Sequence, residues 1–222
     1  MKLLKTNNFK LLFIMVLMSF SILFYRIIRY ESFGFMFLVW NLFLAGVPYI
    51  ISEYLVQRNN QNIFLFFAIL VIWLVFLPNC PYILTDIIHL GMVGPAPHWY
   101  DTFLILSFAL TGLMFGLVSL QNVYETFLQK FSIKISKLLV IFICFLSGFG
   151  VYLGRYLRWN SWDVLNNPRG LGHDIAHRVV YPMDHPRTYF VTLSIGMILT
   201  ILFLFMNVNS PSSRPSKTHK IS

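Results

Sequence analysis

Six apolar stretches constrain this chain more than any other feature. A helix needs roughly 20 mostly apolar residues to cross about 30 Å of hydrocarbon, and stretches of that kind fall near 10–28, 33–52, 62–77, 100–120, 138–155 and 189–206. Little chain is left for a separate soluble unit. The expected fold is therefore all-α, an integral membrane protein of six transmembrane helices forming one polytopic domain over 1–206. Composition agrees: 57% of residues are hydrophobic, 11% are charged and the mean hydropathy is +0.69. The lipid bilayer is thus the first partner the sequence names. Residues 207–222, rich in Asn, Ser and Pro with Arg214, Lys217 and Lys220, read as a disordered basic cytoplasmic tail that at most touches anionic headgroups.

The first stretch follows Lys2, Lys5 and Lys10, as a signal peptide would, but no small-residue cleavage site follows it, so a retained helix is expected. In a soluble protein the formal net charge of +9 would suggest nucleic acid. Here the positive-inside rule accounts for it, and no nucleic-acid partner is expected. With the N-terminus inside, the internal segments carry 10 Lys+Arg, including every Lys, against 7 outside. The expected location is the plasma membrane of a bacterial cell, with both termini cytoplasmic.

The acidic and histidine side chains crowd into two connections. Asp86, His89, His98 and Asp101 lie between the third and fourth stretches; Asp163, His173, Asp174, His177, Asp184 and His185 lie between the fifth and sixth. An even number of crossings separates the two connections, so both emerge on one side, external in the orientation above. Ionisable groups placed beside a bilayer mark a functional site by default.

In the first connection, Leu77-Pro-Asn-Cys-Pro81 should break the third helix, because each proline removes a backbone donor and disfavours helix before it. Pro81 suits the first turn of a restarted helix, with Asn79 or Cys80 as its cap. Tyr82, Thr85, Asp86 and His89 then fall at i, i+3, i+4 and i+7, one polar stripe on an otherwise apolar helix. Asp86 and His89 are the candidate acid/base pair, with Tyr82, Thr85 and Asn79 as binding residues; the alternative is that Asp86 and His89 merely pair with each other. Asp101, in the first turn of the next helix, offsets its dipole and is a further candidate binding residue.

In the second connection, Arg155 and Arg158 lie three apart on a helix, and Trp159 and Trp162 continue that face. Two guanidiniums in an aromatic setting can grip a phosphate or carboxylate. Alternatively they snorkel to headgroups, or pair with Asp86, Asp101 or Asp163. Asn160 or Ser161 should cap a turn that holds Asp163, and Asn160, Trp162 and Asp163 complete the binding candidates.

A short amphipathic helix is expected between Leu171 and Tyr181. On it, His173 and His177 at i, i+4 have the spacing for a divalent transition metal, with Asp86, His89 or Asp174 needed to complete the site. His185 precedes Pro186, which opens the sixth crossing, and a capping role is expected for it. Cys80 and Cys144 differ in depth and read as small apolar residues. Gly112-x-x-x-Gly116 and Gly150-x-x-x-Gly154 should let the fourth and fifth helices pack closely, bringing the two polar elements together.

The strings Leu77-Pro-Asn-Cys-Pro-Tyr-Ile-Leu-Thr-Asp-Ile-Ile-His-Leu90, Trp99-Tyr-Asp101, Ser107-Phe-Ala-Leu-Thr-Gly112, Ser119-Leu120 and Tyr152-Leu-Gly-Arg-Tyr-Leu-Arg-Trp-Asn-Ser-Trp-Asp163 resemble the bacterial membrane family catalogued as domain of unknown function 1361. The resemblance runs from about residue 70 to 165 and extends toward His185-Pro-Arg-Thr188. It implies a bacterial multi-pass membrane protein and no particular activity.

The chain has no His-Glu-x-x-His, Gly-x-Ser-x-Gly or Walker loop. Three readings follow. The leading one is a site that binds or modifies an anionic lipid or cell-envelope precursor headgroup, with Arg155 and Arg158 on the anion and Asp86 and His89 moving protons; binding and catalysis both stay open. A small-solute transporter, whose broken helix lines a path, is the second. An accessory subunit that docks a partner on its external face is the third.

Overall fold

The computed structural model describes residues 2–57, 62–91 and 94–208. Arg58, Arg214, Lys217, Lys220 and the basic tail lie outside the described residues, as do the side chains of Lys2 and Lys5. Every regular element described is helical: α1 (Lys2–Tyr30), α2 (Phe37–Gln57), α3 (Ile63–Phe76), α4 (Asn79–Tyr82), a 3-10 segment (Ile83–His89), α5 (His98–Leu128), α6 (Ile133–Leu157), α7 (Asp163–Asn166), α8 (Pro168–Val180) and α9 (Pro186–Val208). Six spans are long and apolar enough to cross a membrane, with α3, α4 and the 3-10 segment counting together as one of 27 residues. The expected all-α, six-span architecture is the one observed.

The most apolar 18-residue window of α5 is 72% buried, against 22–44% in the other spans, which makes α5 the central post. Its sequence explains the position. Small and hydroxylic residues (Ser107, Thr111, Gly112, Gly116, Ser119) run down its length and are buried, letting neighbouring backbones approach. Their hydroxyls tie the neighbours on. The Ser19 and Thr111 hydroxyls lie 3.1 Å apart, binding α1; Trp73 Nε1 donates to Ser119 Oγ at 2.6 Å, and Ser119 donates to the Pro48 carbonyl at 2.9 Å, binding α3 and α2. Asn122 Nδ2 donates to Ser52 Oγ (3.1 Å) and Glu53 Oε1 (2.7 Å) near the opposite end of α2 from the polar connections. α9 pairs chiefly with α6, where a Cβ on Gly148 would stand 3.0 Å from the backbone nitrogen of Gly196.

The two Gly-x-x-x-Gly pairs bring the polar elements together by a route different from direct packing of the fourth and fifth crossings. Both pairs receive the proline-containing segment between them. A Cβ on Gly112 would lie 2.8 Å from Ile83 Cδ1 and one on Gly116 2.8 Å from Cys80 Cβ, while Gly150 abuts the Pro78 ring and Gly154 faces Tyr82 at 3.2 Å. Side chains of α4 and its flanks, with the Cys80 carbonyl 3.0 Å from a Cβ on Gly112, fill the space that the glycines leave open.

At the prolines, the Leu77 N–H still donates to the Trp73 carbonyl at 2.9 Å while Pro78 has no N–H to give, and both keep right-handed dihedrals (φ −55° and −58°). The chain therefore continues through this point in helical conformation and tightens to 3-10 beyond Tyr82. The expected side-chain cap is absent: α4 begins after Pro78 with no side-chain cap, and the Asn79 amide instead donates back to the Phe76 carbonyl at 2.8 Å. The prolines leave nearby carbonyls without helical donors, and a flexible amide can serve them.

Candidate functional site

Arg155, in the last turn of α6, is where the two polar connections meet. Its Nη2 donates to Asp86 Oδ1, its Nε donates to Thr85 Oγ1 at 2.7 Å, and its Nη1 lies 3.4 Å from His89 Nε2. The Tyr82 ring lies against the guanidinium, 4.1 Å from Cζ to ring centroid. All four residues of the predicted stripe thus converge on a single cation. Asp86 is 1% exposed and takes a second hydrogen bond, from Asn41 Nδ2 to Oδ2 at 2.9 Å. A buried carboxylate needs such company, because a lone charge there is strongly unfavourable. His89 is held edge-on by Phe37, with ring centroids 5.2 Å apart.

The two arginines expected to share a face part company. α6 ends at Leu157, and Arg158 takes a left-handed conformation (φ +61°), its backbone N–H returning to the Leu153 carbonyl. Helices commonly stop on one left-handed residue, usually glycine. Here it is an arginine, so its side chain leaves the helical register. Arg155 points into the bundle with its nitrogens engaged; Arg158 is exposed and, among the described residues, its side chain forms no hydrogen bond or ion pair.

Beside this cluster lies a cleft of about 830 Å³, within the roughly 300–1,000 Å³ usual for small-molecule sites. Arg155, Arg158, His89, Tyr82 and Asn79 line its polar part, together with Trp159, Asn160 and Trp162. Leu44, Leu74, Leu146, Phe149 and Leu153 line its apolar part. On α6 the lining runs from Leu146 to Arg155, a rise of about 14 Å at 1.5 Å per residue. α8 supplies a further wall through Leu171 and Ile175, consistent with its amphipathic pattern. It is fastened there by Asp174, which accepts from Trp159 Nε1 at 2.8 Å and pairs with Arg178 at 3.3 Å.

Other predicted site residues stand outside the cleft. Asp101 pairs with Arg26 through two hydrogen bonds, Nε to Oδ1 at 2.7 Å and Nη2 to Oδ2 at 3.3 Å; the Arg26 side chain is fully buried, with its Cζ 4.6 Å from the Phe35 ring centroid. Asp163 closes a local turn: its Oδ2 accepts from the backbone N–H of Asn160 at 2.7 Å, and α7 begins with no side-chain cap, so neither Asn160 nor Ser161 takes the expected capping role. Ser161 bridges instead to α3, donating to the Val75 carbonyl at 3.1 Å and accepting from Asn79 Nδ2 at 3.0 Å.

His173 and His177 have ring centroids 6.2 Å apart, and His177 Nδ1 lies 2.8 Å from His185 Nε2. One ring donates in that contact and the other accepts, which is the side-chain role His185 takes in place of a cap. Among the described residues, no group of three or more His, Cys, Asp or Glu side chains is placed to hold a metal ion.

Sequence reasoning missed three participants. Asn41 stands as an amide in an otherwise apolar stretch, and an intramembrane polar residue is itself a signal. Trp40 beside it lines the cleft, and Arg26, by sequence only one more cation on the outer side, is the buried partner of Asp101.

Fold and site together define an α-helical protein with six membrane-length spans and a deep, partly apolar cleft next to a buried Arg–Asp pair. Residues 40–202 match the family described as "Protein of unknown function (DUF1361)", and the chain belongs to that family. No curated protein matches the chain. No solved structure matches it.

Proposed function

We propose that this protein binds an anionic, lipid-like molecule or envelope precursor in the cleft, with the headgroup at Arg158 and the chain along the apolar wall. One observation carries the reading: an exposed guanidinium without an ion-pair partner among the described residues lines a cleft whose α6 wall, from Leu146 to Arg155, rises about 14 Å and is largely apolar. Arg155 and Asp86 neutralise each other, so Arg158 sets the sign of the lining charge. Arg155 serves as a positioning residue that fixes Thr85, Asp86 and His89. His89, which lines the cleft where Asp86 does not, is the group placed to exchange a proton with a bound headgroup.

The positive-inside pattern of the sequence favours an external cleft, on the outer face of a plasma membrane.

Retention of defined lipids by the protein purified in mild detergent, read by native mass spectrometry, tests the proposal. Phosphatidylglycerol should be retained in preference to phosphatidylcholine of the same chains, and the preference should fall in Arg158→Gln. Equal retention of both lipids by the wild type would refute it.

A further inference from the structure

We infer that the ligand's anionic headgroup also carries hydroxyl groups, as a glycerol- or sugar-bearing phosphate does, and that Asn41 Oδ1 and Asn79 Oδ1 accept from them. The inference rests on the reading of the cleft as an anionic-amphiphile site. Asn41 of α2 and Asn79 of α4 both line the cleft. The chemistry of their partners fixes the orientation of each amide. Asn41 Nδ2 faces the Asp86 carboxylate at 2.9 Å, and Asn79 Nδ2 faces the Phe76 carbonyl at 2.8 Å. An ionised carboxylate and a backbone carbonyl only accept hydrogen bonds, so the amide nitrogen must be on that side in both residues. The two oxygens are left over.

Neither oxygen has a protein donor among the described residues, and neither is sealed in the core as an unpartnered buried atom. Both therefore keep accessible surface, on residues that line the cleft. Two donors of the cleft lining are committed elsewhere: the Ser161 hydroxyl to the Val75 carbonyl and the Trp159 indole N–H to Asp174.

A phosphate diester has no proton to give an amide oxygen. A hydroxyl has one. A headgroup that is only an anion would satisfy Arg158 and displace water from two acceptors without replacing its hydrogen bonds, which costs affinity. A headgroup with both features satisfies all three residues. The indole of Trp159, oriented by its bond to Asp174, adds a flat apolar wall of the kind that the C–H face of a polyol or sugar ring packs against.

The experiment compares three lipids of matched chains on the full-length protein in mild detergent: phosphatidylglycerol (anionic, with hydroxyls), phosphatidylmethanol (anionic, without them) and phosphatidylcholine. Phosphatidylglycerol should bind about tenfold more tightly than phosphatidylmethanol. In Asn79→Ala that gap should narrow, and Asn41→Ala should act in the same direction. Equal wild-type affinity for the two anionic lipids would overturn the hydroxyl assignment and leave the anionic-cleft reading standing. Equal affinity for all three would overturn that reading as well. A phosphatidylglycerol preference that survives intact in both Asn variants would overturn the assignment to these two amides. The wild-type comparison decides the question even if a variant fails to fold.

Discussion

Asp86 and Arg155 lie 69 residues apart in sequence and form a buried ion pair that closes the two polar connections onto each other. The pair is almost fully enclosed, the side chains being 1% and 9% exposed, and every other residue of the stripe is oriented by it. Removing one partner strands the other charge. Asp86→Ala should therefore lower stability by about 3–5 kcal/mol, while Asp86→Ala/Arg155→Met should recover more than half of that loss. Thermal unfolding in detergent checks this; losses that simply add would show that the two side chains do not depend on each other.

The Arg26–Asp101 pair is a separate fastening between α1 and α5, outside the cleft. Arg26→Met should destabilise by a similar amount, about 3–5 kcal/mol, without changing the lipid selectivity of the protein that remains folded. A selectivity change matching that of Arg158→Gln, measured below the melting temperature, would place Arg26 in the site after all.

The glycines facing the proline segment should tolerate added side chains poorly. Gly112→Leu and Gly150→Leu should each cost about 1–3 kcal/mol or more, because the space is already filled by Ile83 and by Pro78. At Gly172 in α8 an added Cβ would meet nothing within 4 Å, so Gly172→Ala should stabilise by about 0.5–1 kcal/mol through helix propensity alone. Melting temperatures of the three variants give the comparison directly.

How far the sequence could be read follows from the physics of each feature. Six spans were legible because the bilayer demands long apolar runs, and parity alone put Asp86 and Arg155 at one end. The stripe Tyr82, Thr85, Asp86, His89 was legible as a set, although its backbone tightens to 3-10 beyond Tyr82. Its focus on one arginine was not, since several carboxylates were eligible partners for Arg155. The separation of Arg155 from Arg158 was hidden for a different reason: a left-handed stop normally announces itself with glycine, and here no glycine stands at the position. Asn41 was visible as an oddity in an apolar run, but its partner lay 45 residues away in another element.

That left-handed arginine supplies the most direct test. Glycine adopts φ +61° without the roughly 1–2 kcal/mol that a side chain costs there, so Arg158→Gly should fold at least as stably as the wild type while losing the cation at the cleft. The measurement is the affinity of wild type and Arg158→Gly for phosphatidylglycerol and phosphatidylcholine, beside their melting temperatures. An unchanged or higher melting temperature together with loss of the anionic preference is the predicted result. An anionic preference that persists undiminished in the stably folded variant would contradict the central claim that Arg158 holds the headgroup.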